Sequence, residues 1–143
     1  MGITAEVRRL DAPTYYAAGV GKPDAVTAAG YGLVLATRSA DFPTAASFLV
    51  PLVDGRSVRG VGNTNYARLT DPAVNALVDA ARAAPDPAAA TQAWQEVAVG
   101  AAATWAYVPL VENRLQLLAG QRLRNGVVMQ RYSSYDVATA GIQ

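Results

Sequence analysis

Two ionisable side chains that could bind a ligand, Arg38 and Asp41, lie three residues apart in a polar stretch that follows an apolar run. A carboxylate that is shielded from water forms a charge-assisted hydrogen bond with a cation that is stronger than the same contact on the surface. An arginine in the same loop could bind a carboxylate or phosphate through two nitrogens. Asp41 could instead cap the helix that follows or face water, and a loop arginine is more often merely solvated. The sequence leaves these alternatives open.

Ser39 and Tyr66 complete the set of candidate ligand-binding residues. Ser39 lies between Arg38 and Asp41, and Tyr66 follows a loop, residues 54–64, that is rich in glycine and arginine and predicted to be exposed. A tyrosine offers apolar area together with a hydroxyl group, which suits the wall of a binding cleft. The two tryptophans, Trp94 and Trp105, lie at helical spacing with apolar residues and are predicted to pack in the core.

The residue types that are missing argue against several kinds of catalytic site. The chain contains no histidine and no cysteine, so the usual zinc, copper and nickel ligands and the usual base of a catalytic serine are absent. It has no Gly-x-Ser-x-Gly elbow, and Gly60-Val61-Gly62 lacks the third glycine and the lysine of a phosphate loop. We therefore expect a protein that is not an enzyme and that needs no cofactor or metal. A pair of catalytic carboxylates and a chelated metal as ligand stay open.

Composition indicates a folded domain without a strongly charged partner. A length of 143 residues with 52% hydrophobic side chains is enough to build one core, and a net charge of +1 favours neither nucleic acid nor an anionic membrane. The first ten residues, 1–10, lack the apolar run of a signal peptide, and no apolar window is long enough for a membrane span.

Strands and helices are predicted to alternate along the chain, which indicates an α/β fold. Capping residues and apolar stripes predict a short helix ending at Gly19, a frayed helical piece within 19–30, and helices at 45–49, 70–82 and 87–105. Alternating or continuous apolar residues predict strands at 2–10, 33–36, 108–111, 115–118 and 127–132, the last after a turn at 124–126. The strand at 33–36 is expected to be buried on both faces.

Several short segments appear in a characteristic order along nearly all of the chain. They are Tyr31 to Leu49, which carries Asp41; Asn65-Tyr66 with the helix at 70–82; Asp86-Pro87 with the Trp94 helix; Val108-Pro109-Leu110 with Asn113-Arg114-Leu115; and Ser134-Tyr135-Asp136. None of them is specific alone. The ordered series resembles extracytoplasmic solute-binding proteins of family 5, the peptide- and nickel-binding components of ABC transporters.

This resemblance implies a fold and a set of roles. Residues 1–106 would form part of the second lobe of a two-lobed periplasmic-binding-protein-like fold, and residues 107–143 the interlobe crossing and the strands returning to the first lobe. Asp41 matches the position that pairs with the ligand's α-ammonium group. Arg38 stands where many relatives carry an aromatic residue, which puts the ligand class in doubt. Asn113-Arg114 lies near the predicted crossing and is interpreted as hinge structure.

The function implied is capture of a peptide or another amine-bearing solute for an ABC permease in the membrane. Such a protein works outside the cytoplasm, in the periplasm or as a cell-surface lipoprotein, and this chain would be its C-terminal part. A different class of function is a stand-alone interaction or sensor module, which would cover its exposed apolar surface with a second copy or another partner.

Overall fold

A computed structural model describes Gly2 and residues 4–112, 116–129 and 134–143. Within it the chain divides into two compact units, Met1–Val108 and Pro109–Gln143. The first unit is helical and carries all four of the predicted ligand-binding residues. The predicted hinge at Asn113-Arg114 lies outside the described residues.

Helices of the first unit begin where the sequence supplies capping groups. A π-helical turn spans Tyr15–Val20, α1 spans Pro23–Ala29, α2 Ala45–Val53, α3 Pro72–Arg82 and α4 Pro87–Ala103, with a 3₁₀ turn at Gly55–Ser57. The Asp71 carboxylate accepts from Ala73 N at 2.7 Å, and Asp86 accepts from two backbone amides at 2.9 Å. These caps confirm the two predicted helix starts. In the described part of the chain, no helix is both long and apolar enough to cross a membrane.

The core lies between α2, α3 and α4. The last two helices are joined by residues 83–86 only and form a helical hairpin, as the sequence predicts. The buried side chains are those of Val53 in α2, Val74, Val78 and Ala81 in α3, and Val97 and Ala101 in α4. Their spacing of three or four residues is the helical period from which both helices were predicted.

One core prediction is wrong. Trp105 is 83% exposed, whereas Trp94 is partly buried and packs against the core. The reason is that α4 ends at Ala103 and Trp105 takes a left-handed backbone conformation with φ 57°. The helical period on which the prediction was based therefore stops two residues before Trp105.

The second unit contains two small antiparallel ladders. β1, Leu123–Arg124, pairs with β4, Gly141–Ile142, and β2, Val128–Met129, pairs with β3, Ser134–Tyr135. Asn125 has a φ of 52° and forms the predicted turn with Gly126. The predicted strand at 127–132 is confirmed at 128–129, and residues 130–132 lie outside the described part.

The other predicted strands are wrong for the residues that the structure describes. Residues 4–10, 33–36, 108–111 and 116–118 form no ladder, so the fold combines helices with small sheets. Leu33 and Leu35, expected to be buried on both faces, are 96% and 69% exposed. A period-two pattern shows that a segment can form a strand, but a strand also needs the backbone groups of a neighbour, and no described segment supplies them.

Candidate functional site

Two adjacent tyrosines hold the loop that carries the predicted ligand-binding residues. Tyr15 donates a hydrogen bond from its hydroxyl to the carbonyl oxygen of Leu35. The hydroxyl of Tyr16 accepts one from Thr37 N at 3.1 Å and lies 3.1 Å from Thr37 Oγ1. The π-helical turn at Tyr15–Val20 therefore fixes the backbone directly before Arg38.

Arg38 and Asp41 form an ion pair within this loop. Arg38 Nη2 lies 2.6 Å from Asp41 Oδ2 and also donates to the carbonyl oxygen of Ser47 at 3.2 Å. The arginine side chain is 19% exposed and the aspartate side chain 64% exposed. Arg38 is therefore more than a solvated loop residue, because it connects the loop to α2 and places its charge beside the carboxylate.

The Arg38 guanidinium is not fully hydrogen-bonded. Its Nε atom is buried and has no hydrogen-bond partner among the residues that the structure describes. A buried donor without an acceptor costs about 1–3 kcal/mol. Arg38 thus combines a charge partner with unused hydrogen-bonding capacity.

Ser47, which sequence analysis did not single out, orders the turn between Asp41 and α2. Its hydroxyl donates to the Phe42 carbonyl oxygen at 2.6 Å, and its backbone amide donates to Thr44 Oγ1 at 3.3 Å. Thr44, and not Asp41, is therefore the cap of α2. The sequence signal for this role is a polar residue within an otherwise apolar helix. In the structure the Ser47 side chain is buried, with 5% exposure.

Tyr66 lies at the edge of an aromatic cluster beside Arg38. The centroid of its ring is 6.0 Å from that of Tyr16, which itself contacts Tyr15 edge-to-face at 5.0 Å. Burial raises the pKa of Tyr66, and the nearby charge of Arg38 opposes part of this increase in its pKa. We name Arg38, Asp41, Tyr16 and Tyr66 the Arg38–Asp41 site. Ser39 is exposed and forms no side-chain hydrogen bond within the described ranges.

The loop at 54–64 is exposed at residues 59–62, as predicted, but is buried near both ends. Asp54 and Asn63 are only 2% exposed, and Asn63 Nδ2 donates to Asn65 O at 2.7 Å. Asp54 accepts from Arg56 Nε at 2.8 Å and lies 3.6 Å from Arg82 Nη1. Residues 55–60 are rich in glycine and arginine, a composition typical of exposed loops. The sequence therefore gives no sign that the ends of the segment are buried.

Arg56 also bridges to Asp79 on α3, with Nη2 2.7 Å from Oδ1. Hydrogen bonds from Arg56 lower the pKa of Asp54 and that of Asp79. This cluster links the end of α2 to α3, and every charge in it has an opposite partner. We interpret it as structural, since it leaves no free charge for a ligand.

The Asp54 cluster predicts a pH dependence of stability. Because the folded-state pKa is lowered, stability from Asp54 is fully present above its ordinary pKa of about 4 and is lost as the pH falls toward the folded-state value. Urea unfolding at about pH 6 and about pH 3 should therefore show lower stability at the acidic pH. Asp54→Asn should reduce this difference, because it removes the titrating carboxylate. An unchanged difference in Asp54→Asn would contradict the assignment.

A shallow surface cavity of ≈ 310 Å³ lies elsewhere in the first unit. Its walls are mainly alanine, glycine and threonine, with Leu10, Asp11 and Tyr31. Neither Arg38 nor Asp41 lines it, so its chemistry is weaker than that of the Arg38–Asp41 site. Within the described ranges no three His, Cys, Asp or Glu side chains are grouped in a way that could hold a metal ion.

Comparison with known proteins places this geometry in a structural context. No protein-family model matches the chain, and no curated protein matches it. The solved structure of Clavulanic acid biosynthesis oligopeptide binding protein 2 matches with a TM-score of 0.91 and 36% sequence identity. The match covers 96% of this chain and 25% of that chain, so the chain spans about a quarter of the length of the protein it matches. The chain is therefore similar, in fold and in sequence, to one part of an oligopeptide-binding protein.

Proposed function

We propose that the chain is part of a solute-binding component of an ABC importer and captures a peptide or another amine-bearing small solute. The observation that carries the proposal is the similarity to an oligopeptide binding protein at 36% identity and a TM-score of 0.91. A residue set suited to binding supports it, because the Arg38–Asp41 site combines two charges with aromatic rings. The proposed role is binding without catalysis.

In this proposal Asp41 receives the ligand's ammonium group. Its side chain is 64% exposed, and only Oδ2 is engaged by Arg38 in the described structure. The second carboxylate oxygen can therefore accept from an incoming cation. The rings of Tyr16 and Tyr66 supply apolar area on which the ligand's side chain could pack. Ser39, exposed in the same loop, is a further candidate contact.

The complete receptor in this proposal is longer than 143 residues. Residues 1–106 belong to its second lobe, and residues 107–143 cross between lobes and return to the first. It works outside the cytoplasm and delivers its solute to a membrane permease. Apolar side chains that are 63–83% exposed at Val108, Leu110 and Val111, together with Leu33 and Leu35, support a further polypeptide that covers them.

The same exposed side chains favour a second candidate function, a stand-alone interaction module that pairs with a copy of itself. Leu33 and Leu35 lie in a segment that forms no backbone–backbone hydrogen bond within the described residues, and such a segment can pair with an identical one. Light scattering of the purified chain distinguishes the two. A stable dimer of the chain supports the module, and a monomer supports the receptor, in which a further polypeptide covers these side chains.

Thermal unfolding of the complete receptor in the presence of candidate solutes tests the receptor proposal. A ligand at about 100 times its Kd stabilises the folded state by about 2.7 kcal/mol, which raises Tm by several degrees. Solutes with an α-ammonium group, such as amino acids and short peptides, should produce this increase, and sugars should not. Asp41→Asn should weaken peptide binding about tenfold or more, since it removes a charge-assisted hydrogen bond.

Asp24→Asn is the matched control, because Asp24 is also exposed but lies outside the Arg38–Asp41 site. Its response to peptides should equal that of the unmodified protein. An increase in Tm that Asp41→Asn leaves intact would remove Asp41 from the site. No increase with any solute would contradict the receptor proposal itself.

A further inference from the structure

The Asp41 carboxylate, which is proposed to bind the ligand's ammonium group, already lies beside the positively charged Arg38. Arg38 Nη2 is 2.6 Å from Asp41 Oδ2, and the carbonyl oxygen of Ser47 holds the same nitrogen at 3.2 Å. The arginine side chain is only 19% exposed, so the surrounding fold holds it beside the carboxylate. A ligand that carries only an ammonium group would therefore bring a second positive charge close to Arg38, and like charges at such distances repel.

Each member of the pair retains hydrogen-bonding capacity. Within the described residues, Asp41 Oδ1 accepts no hydrogen bond and Arg38 Nη1 donates none. Arg38 Nε also has no acceptor within the described residues, but it is buried, so the donor left for a ligand is Nη1. One acceptor site and one donor site thus lie next to each other.

We propose that Arg38 determines the specificity of the site and selects ligands that carry an ammonium group and a carboxylate on the same carbon atom, as an α-amino acid does. The ligand's ammonium group would donate to Asp41 Oδ1. The ligand's carboxylate would accept from the Arg38 guanidinium, whose planar donors match a carboxylate. Each charge of the ligand then lies beside an opposite charge of the protein. These attractions offset the repulsion between the two cations and between the two anions. This inference rests on the proposed solute-binding function.

The aromatic rings define the rest of the ligand. Tyr66 lies 6.0 Å from Tyr16, and the positive charge of Arg38 acts on the Tyr66 hydroxyl. An apolar or aromatic side chain attached to the amino acid group would pack against these rings. L-Phenylalanine is therefore a suitable probe, with L-phenylalaninamide as its cation-only analogue and N-acetyl-L-phenylalanine as its anion-only analogue.

Calorimetric titration of the complete receptor with these three compounds and with a dipeptide tests the proposal. We expect L-phenylalanine to bind at least about tenfold more tightly than either analogue, the effect of one charge-assisted hydrogen bond. Arg38→Gln should abolish this preference and raise the affinity for the amide, because the repelling charge is gone. Arg38→Lys, which keeps the charge, should still disfavour the amide. Arg59→Gln, at an exposed arginine with no ion pair in the described structure, should bind like the unmodified protein.

The outcomes separate this inference from the function on which it rests. If the amide or the dipeptide binds at least as tightly as L-phenylalanine, the site binds amines but Arg38 does not select zwitterions. An unchanged preference in a folded Arg38→Gln variant, checked by circular dichroism, has the same meaning. If none of the four compounds binds to the unmodified protein, the proposed solute-binding function fails as well.

Discussion

Asn65→Ala is expected to lower the free energy of unfolding by about 3 kcal/mol, because it leaves buried backbone groups without partners. Asn65 is completely buried. Its Oδ1 accepts from Leu69 N at 2.9 Å, and its Nδ2 donates to Leu69 O at 2.9 Å and to Asp54 O at 3.4 Å. An alanine satisfies none of these groups, and the position it would occupy is buried.

Tyr107 extends the effect to the segment after α4. Its hydroxyl oxygen lies 3.0 Å from Asn65 Oδ1 and 2.6 Å from the carbonyl oxygen of Leu52. Burial raises the pKa of Tyr107 to about 12, so the hydroxyl stays protonated and able to donate at ordinary pH. Asn65 therefore connects the end of α2, the turn at 65–69 and the residues that follow α4.

Urea unfolding followed by circular dichroism measures this loss. The control is Gln95→Ala, at an exposed position of α4 without a side-chain hydrogen bond in the described structure, which should change stability by less than about 0.5 kcal/mol. Tyr107→Phe should fall between the two, since it removes only one member of the network. An Asn65→Ala variant as stable as Gln95→Ala would show that the amide is dispensable.

Asn65 also illustrates which parts of the fold sequence analysis can predict. The starts of α3 and α4 were predicted correctly because a cap such as Asp71 and an apolar stripe act within a few residues of each other. The Asn65 hydrogen bonds join residues 54, 69 and 107, so no local pattern announces them. The same reason explains the strands, because pairing partners are set by distant segments.

Only part of the candidate site could likewise be predicted from the sequence. Arg38 and Asp41 could be associated from their spacing of three residues, and the structure brings them into contact at 2.6 Å. The tyrosines that hold their loop come from about twenty residues earlier, and Ser47 takes its role from the turn that it closes. Sequence analysis therefore found the charges but not the groups that position them.

Gly21→Ala should destabilise the first unit by about 3 kcal/mol and also disturb the Arg38–Asp41 site, as overpacking against backbone atoms does. A Cβ atom at Gly21 would overlap with the carbonyl oxygen of Tyr16 and lie 3.2 Å from its carbonyl carbon. The backbone of the π-helical turn would have to shift, and with it Tyr16, whose hydroxyl is bonded to Thr37 N at 3.1 Å. Gly60→Ala, where a Cβ would meet nothing within 4 Å, is the matched control.

Two measurements separate the expected effects of Gly21→Ala. Urea unfolding should report the loss of stability. Near-ultraviolet circular dichroism should report a changed environment of the two tyrosines in edge-to-face contact, Tyr15 and Tyr16, whose ring centroids are 5.0 Å apart. Because Tyr16 fixes the backbone before Arg38, affinity for any ligand of the site should fall together with the tyrosine signal. If stability falls while the tyrosine signal and ligand affinity match those of Gly60→Ala, the π-helical turn supports the fold but does not position the site.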